Sequence, residues 1–423
     1  MSEPIAASPP PQVPTRLLFM CWGYSIHARR RVQLFIDDPR FEVAVVSTWD
    51  YGFSGARFFP LRAARAARPD VGDAPVRARA GWLSTEMRER LAQARSLLLL
   101  PLEIVRALGD LGVLRAAMRE FRPDVVFLQT LQYPCYLAYL LPRHLPLMVT
   151  FWNGDVTYFA RWTGLEMLAK KWLVRYGLRR VRYITVNSRT AYDACVDLGA
   201  DAARMQLIRY PAADVDLFAR RDQGKARERL GLRAAHVVLC PRGLGRFFNS
   251  DVIVEAMPKV LARFPDTVFL FISGVGGPGE WARHVEHAAR LGIAEQSLRW
   301  DGQIEWEDMP WYYSAADVML SIKTADSCPN CMLEAMAAEV PVVMSDTRQN
   351  REWIDDGANG FLVEPRDPAA VAECVLRLLA DDGPMRARFG EISLQRVRAD
   401  GNARINVPRI REIVLGVAGR SQP

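Results

Sequence analysis

The stretch VMLSIKTADSCPNCMLEAMAAEVPVVMSD, Val318 to Asp346, limits the fold of this chain more than any other. It reads as a buried strand (Val318 to Ile322), a polar loop, a helix starting near Pro329 or Asn330, and a second buried strand (Val340 to Met344). Apolar runs of strand length around a helix of about ten residues mark a parallel α/β sheet with both faces covered. Pro329 suits the first helical position, where its missing N–H costs nothing. The helix is apolar almost throughout, yet it carries Glu334. A carboxylate there is expensive unless the helix N-terminus opens onto a polar cleft. Asp326 lies eight residues earlier, in the loop at the carboxyl end of the first strand, where open α/β sheets bind ligands. From the residues alone, Asp326 reads equally as a loop residue capping the helix, and an alternative for Glu334 is a solvated glutamate on an exposed edge.

Asp326-x7-Glu334 is followed by an AlaMetAla run, Pro341, Val342 and Val343, and then by NREWIDDGANGFLVEPRD from Asn350 to Asp367. This order resembles the signature of the retaining glycosyltransferases of family four, whose tail runs E-x-I-x-D-G-x-N-G-x-L-V-x-P-x-D. The family pattern is usually Glu-x7-Glu, so Asp326 is one methylene short. The resemblance implies an α/β fold of two Rossmann-like domains facing across a cleft (GT-B). It also implies a nucleotide diphosphate sugar as co-substrate, with no cofactor and no metal. Glu334 would then accept hydrogen bonds from the ribose, and Asp326 would hold a hydroxyl of the donor sugar. Ser327, Cys328, Pro329 and Asn330 stand where such enzymes carry forms like EGFPN, against the donor.

At 423 residues, half of them hydrophobic, the chain has room for two ordinary domains. No apolar run approaches the roughly twenty residues of a spanning helix; SLLLLPLEIV (Ser96 to Val105) is short and broken by Pro101. MSEPIAASPPPQVP lacks the charged start and apolar core of a signal peptide, so residues 1–14 read as a disordered Pro-rich tail and a cytoplasmic location is expected. The net charge of +7 rests on arginine, with only five lysines, and much of it falls between Arg57 and Arg119. Such a surface suits nucleotide-sugar phosphates, a lipid-linked phosphate or an anionic leaflet, and peripheral contact with the inner membrane surface is one reading. An arginine-rich genome is the other. No basic stretch carries the interleaved aromatics of a nucleic-acid module. Met87, Leu91, Ala94 and Leu98, then Leu111, Leu114, Met118 and Phe121, follow helical spacing, as core stripes or as basic helices lying on a membrane. Cys328 and Cys331 form the one CxxC among seven cysteines; with no second pair and no histidine at ligand spacing, it reads as neither zinc site nor redox pair.

Along the chain, RLLFM (Arg16 to Met20), a Gly-containing loop, a helix and FEVAVVST (Phe41 to Thr48) open a Rossmann-like unit. SIHARR (Ser25 to Arg30) resembles the S-x-H-T-x-R of one family subgroup, which implies that His27 faces the cleft and that Gly23 lets backbone approach phosphate. The plain alternative for His27 is a helix N-terminal histidine without a chemical role. PLMVTFWNGDV (Pro146 to Val156) resembles the tryptophan form of a strand ending in W-G-S-D; Asp155 either touches an acceptor hydroxyl or caps the next segment of the chain. LIRYPAADVDLF (Leu207 to Phe218) resembles the segment by which these enzymes leave their first domain. The expected division is an acceptor domain over 15–210, a linker over 211–235, a nucleotide-sugar domain over 236–384, and a C-terminal helix over 385–423 returning to the first domain.

VVLCPRGLGRFFNSD (Val237 to Asp251) resembles R-x-L-x-x-x-K-G, whose arginine and lysine grip the donor diphosphate. Arg242 takes the first role, and a guanidinium binds phosphate bidentately without losing charge. The lysine is missing; Arg246 is the nearest substitute, and Lys323 a further source of charge. Gly274, Gly276 and Gly279, with Asp301 beyond, satisfy a dinucleotide-binding fingerprint and by themselves suggest NAD. The family also carries G-x-G here and then G-x-I, matched by GQI, so that the backbone at Gln303 and Ile304 would meet the base. A retaining glycosyltransferase is thus expected, with a nucleotide-sugar epimerase of the same fold or a non-catalytic nucleotide-sugar binder as alternatives.

Overall fold

The computed structural model describes residues 13–21, 26–61, 108–131, 134–151, 156, 165–210, 212–273, 275–324 and 326–419. Apolar runs of four to seven residues become the central strands of two parallel sheets. In the first, β1 (Thr15–Cys21), β2 (Phe41–Ser47), β3 (Ala56–Pro60), β4 (Val125–Leu128), β5 (Leu147–Phe151), β6 (Tyr183–Val186) and β7 (Met205–Leu207) lie in the order β3-β2-β1-β4-β5-β6-β7. In the second, β8 (His236–Cys240), β9 (Thr267–Phe271), β10 (Leu298–Trp300), β11 (Val318–Ser321), β12 (Val342–Ser345) and β13 (Phe361–Val363) lie in the order β10-β9-β8-β11-β12-β13.

Alternate residues of one strand feed opposite cores, which is why these strands read as continuous apolar runs. Leu18 and Met20 join Val126 and Leu128 on one face of the first sheet, while Leu17 and Phe19 join Val125 and Phe127 on the other. In the second, Val237 and Leu239 face one core and Val238 and Cys240 the other. Each sheet has a switch point where the winding reverses, between β1 and β4 and between β8 and β11. Open α/β sheets hold ligands in the crevice at the carboxyl ends of such strands.

The chain crosses between the domains twice. On the way out, residues 211–235 do not run free: Ala213, Val215, Phe218, Ala226 and Leu232 are buried in the second domain's core. The short helix Gln223–Arg229 within this stretch is capped by Asp222, whose Oδ1 accepts the Lys225 N–H at 2.7 Å. On the way back, the helix Pro384–Asp400 lays Phe389 and Val397 in the second domain. The helix Ala403–Val417 then places Val407, Ile410 and Val414 in the first, against Leu17 and Phe19. The two crossings are stitched together, since Ala213 N–H donates to Gly401 O at 3.0 Å and Ala403 N–H donates to Ala213 O at 2.8 Å. Beside them buried Arg209 pairs with Glu352 (2.8 Å) and Asp400 (3.3 Å) and lies over the Trp353 ring. Among the described residues no helix is long and apolar enough to cross a membrane.

Phe218 tests whether the outgoing stretch is core or tether. Its ring is fully buried, with centroids 5.7 Å from both Trp306 and Tyr313. Phe218→Ala is expected to lower the unfolding free energy by about 3–5 kcal/mol in urea titration followed by circular dichroism. A change below about 0.5 kcal/mol, typical of surface positions, would make residues 211–235 a tether.

Candidate functional site

The loops leaving β8 and β11 at the second switch point bring three charges together. Arg242 ion-pairs with Asp326, its Nη1 lies 3.7 Å from the Cys331 sulfur, and its buried Nε has no hydrogen-bond partner among the described residues. Lys323, only 5% exposed, sets its Nζ 3.7 Å from the same Asp326 oxygen and 4.4 Å from the centre of the Phe247 ring. Burial depresses Lys323 below the ordinary lysine range against the pull of Asp326. Burial also acts on Arg242, but the charge of Asp326 outweighs it and holds the guanidinium above its usual value.

The β8 loop is shaped by tight packing. A side chain at Gly243 would meet the Phe248 ring at 2.3 Å. Gly245 N–H donates to Ser250 Oγ at 2.7 Å, and that hydroxyl lies 2.7 Å from His284 Nε2, whose Nδ1 sits 2.8 Å from Glu280 O. Asn249 donates to Ile322 O (2.8 Å) and Thr324 Oγ1 (2.9 Å), tying this loop to the one that carries Lys323. Gly276, at φ 102°, approaches so closely that a Cβ there would lie 2.9 Å from Leu244 O. The turn of the dinucleotide fingerprint is therefore filled by the chain's own Leu244, which explains its glycine without NAD; Gly274 lies outside the described residues.

Eight residues beyond Asp326, on the helix Asn330–Ala337, Glu334 is buried at the boundary of the two domains. Its Oε2 accepts from Tyr313 O–H at 3.0 Å; its Oε1 accepts from Trp306 Nε1–H at 3.2 Å and from Arg30 Nη1 at 3.4 Å. Arg30 belongs to the first domain's helix Ile26–Ile36, and its guanidinium lies 4.1 Å from the centre of the Trp306 ring. Burial lowers Arg30 from the usual guanidinium range, and Glu334 offsets this only in part. Burial, and then the charge of Glu334, drive Tyr313 well up. A second bridge is made by Ser327, whose hydroxyl donates to Asn187 Oδ1 at 2.6 Å and lies 3.2 Å from Ser188 Oγ. Pro329 caps the Glu334 helix without any side-chain hydrogen bond to its first turn, and its carbonyl accepts the N–H groups of Met332 and Leu333 at 3.1 and 3.3 Å.

Residues 235–381 match a family described as glycosyl transferases group 1, and residues 75–213 match one described as glycosyltransferase family 4; together they span well over half of the chain. The chain belongs to the family-four glycosyltransferases. A D-inositol 3-phosphate glycosyltransferase of Geodermatophilus obscurus is 36% identical over 189 residues, 43% of this chain and 42% of that protein. A GDP-mannose-dependent alpha-(1-6)-phosphatidylinositol monomannoside mannosyltransferase of Mycolicibacterium smegmatis is 32% identical over 187 residues, 42% of this chain and 47% of that protein. The matched part thus spans about half the length of these curated relatives. The fold is shared with Anabaena HepE, solved in complex with UDP and glucose (TM-score 0.69, 16% identity, 95% of this chain and 100% of that one). It is shared also with sucrose-phosphate synthase from Thermosynechococcus elongatus (TM-score 0.71, 17% identity, 96% and 100%).

In this member of the family the cluster gathers Arg242, Lys323, Asp326, Ser327 and Glu334, with Cys328 and Cys331 beside it. Burial pushes the Cys328 thiol up to about 12 and raises Cys331 despite Arg242, so both stay protonated at neutral pH and neither offers a thiolate. Among the described residues no group of three or more His, Cys, Asp or Glu side chains is placed to hold a metal ion. Arg246 is exposed on the β8 loop, while Lys323 stands beside Arg242. Gln303 is exposed, and Ile304 packs against the second-domain core two residues before Trp306. Gly23 and Asp155 lie outside the described residues, as does the side chain of His27. Sequence reasoning missed Arg30, Trp306 and Tyr313. Arg30 was within reach, being the last residue of SIHARR; the other two carried no pattern to mark them.

Asp326→Asn would leave Arg242 and Lys323 facing each other, largely buried, with only a neutral amide between. Its unfolding free energy in urea is expected to fall by about 3 kcal/mol, the scale of a broken buried pair. No measurable change would mean that water, not Asp326, balances the two cations.

Proposed function

We propose that this chain transfers a sugar from a nucleoside-diphosphate sugar to an acceptor with retention of anomeric configuration. One observation carries the proposal: Asp326 lies between Arg242 and Lys323 on the loops leaving β8 and β11 at the sheet's switch point, and the buried carboxylate of Glu334 follows on the next helix. That sequence of charges matches a donor laid out as sugar, diphosphate and ribose. The names of the relatives agree, the M. smegmatis enzyme being GDP-mannose-dependent and HepE having been solved with UDP and glucose.

Arg242 and Lys323, near the positive end of the Asn330–Ala337 helix dipole, take up the charge that develops on the departing diphosphate. Arg242 Nε, without a partner among the described residues, supplies a further donor for that anion. Cationic side chains do here the work that an ion does elsewhere. Asp326 holds a hydroxyl of the sugar, and Glu334 accepts from the ribose hydroxyls. Attack on the face that the diphosphate leaves, with that phosphate as base, retains configuration without a protein nucleophile. The first domain binds the acceptor, and closure of the cleft excludes water.

Calorimetry with nucleoside diphosphates is expected to show binding weakened by about 1–3 kcal/mol in Glu334→Gln, the scale of a hydrogen bond to a charged group. Arg242→Ala and Lys323→Met should weaken a nucleoside diphosphate far more than the matching nucleoside; equal losses would remove both cations from the phosphates. Donor incubated alone should undergo at most slow hydrolysis. Interconversion of the donor sugar would replace transfer by epimerisation.

A further inference from the structure

The helix Leu165–Arg180 buries one face and presents a second apolar face to solvent. Inward it places Val174, Gly177 and Leu178; a side chain at Gly177 would strike the Tyr139 hydroxyl at 2.1 Å. On the opposite side Leu168, Trp172 and Tyr176 recur every four residues and are 61%, 67% and 39% exposed. Trp172 and Tyr176 stack with centroids 5.9 Å apart, and Tyr176 meets the edge of Tyr139 at 5.7 Å. Leu140, 66% exposed at the end of the neighbouring turn Cys135–Leu140, extends the stripe. Single exposed leucines are ordinary, but a continuous aromatic and aliphatic patch marks an interaction surface.

Among the described residues its border carries arginines. Arg175 and Arg179 are exposed one step round the helix, and Arg143 lies just beyond Leu140 on the adjoining segment. Arg180 is anchored there by the carbonyls of Leu141 and Pro142. The chain holds no acidic residue from Met167 to Arg182, nor from Val125 to Gly154. A second copy of the chain would be a poor occupant, because a two-fold contact would set these arginines against themselves. An apolar stripe with amphipathic rings and flanking arginines suits an interface of anionic headgroups over hydrocarbon.

We infer that Leu140, Leu168, Trp172 and Tyr176, bordered by Arg143, Arg175 and Arg179, form a face by which this chain lies on an anionic bilayer surface. The inference is independent of the donor site, which lies on the other domain. Flotation of the full chain with phosphatidylcholine–phosphatidylglycerol vesicles should exceed that with phosphatidylcholine alone and fall as salt is raised. Leu168→Ser with Trp172→Ser, and separately Arg175→Ala with Arg179→Ala, should each weaken vesicle binding by about tenfold or more. Both pairs are exposed, so the urea midpoint and nucleotide affinity should stay as in the unaltered chain, which separates this test from that of the donor site. Absence of flotation with anionic vesicles, or flotation undiminished in both variants, overturns the inference. Sedimentation that finds a dimer abolished by Leu168→Ser with Trp172→Ser, with vesicles ignored, overturns it too and gives the face to a second copy.

Discussion

Glu334 sits in a helix whose other residues from Cys331 to Ala337 are buried and apolar, and its charge is met there by Tyr313, Trp306 and Arg30. Removing a carboxylate from water without such partners costs several kcal/mol, more than a short helix can recover by packing. The helix therefore requires Tyr313, on the neighbouring helix Met309–Ala315, and Trp306 just ahead of it. Phe218, from the outgoing connection, packs against both rings and holds them in place. One buried charge thus links the β11 loop, the domain connection and the first domain's opening helix.

The two ends of the domain boundary differ in kind. At the connection, Arg209 is buried with Glu352, Asp400 and Trp353 around it, and two backbone hydrogen bonds join the crossings. There the chain itself crosses twice, so a covalent connection backs those contacts. At the cleft, the bridging groups are hydroxyls, an amide, a carboxylate and a guanidinium at 2.6 to 3.4 Å. Polar contacts of this sort exchange with water or ligand at small net cost, because the bond gained nearly equals the bond lost. The structure is consequently fastened at one end of the boundary and exchangeable at the other.

The sheets were legible because continuous apolar runs of strand length admit little else, and the Pro329 start of the Glu334 helix was legible from proline chemistry. Asp326 and Arg242 could be placed because each lies past the carboxyl end of a strand, and Glu334 because it sits within the helix that follows, positions that one-dimensional spacing preserves. Trp306 and Tyr313 were not, since their role comes from where the Met309–Ala315 helix lands, and no periodicity encodes that. Phe218 was noted only as part of an exit segment; the polar composition of the residues after it hid how far the stretch is buried. The Leu168–Tyr176 stripe escaped for the opposite reason. On paper, apolar residues four apart signal a core face, and only the buried positions of Val174, Gly177 and Leu178 reveal that the core lies on the other side.

Two departures from the family pattern become one in three dimensions. The pattern's lysine is absent from the β8 loop, and its first glutamate is shortened to Asp326. The structure places Lys323 beside Arg242 from the β11 loop, three residues before that same aspartate. Two cations and one carboxylate still share the site, so its formal charge balance is that of the usual arginine, lysine and glutamate set. The difference lies in where the lysine is anchored. Through Asn249, which donates to Ile322 O and Thr324 Oγ1 on either side of Lys323, the β8 loop holds the backbone that now bears the second cation. A lysine carried on that braced segment, with its ammonium over the Phe247 ring, has less conformational freedom to lose on meeting an anion than the exposed Arg246 would. Preorganisation of that kind favours binding through smaller entropy loss rather than through added charge.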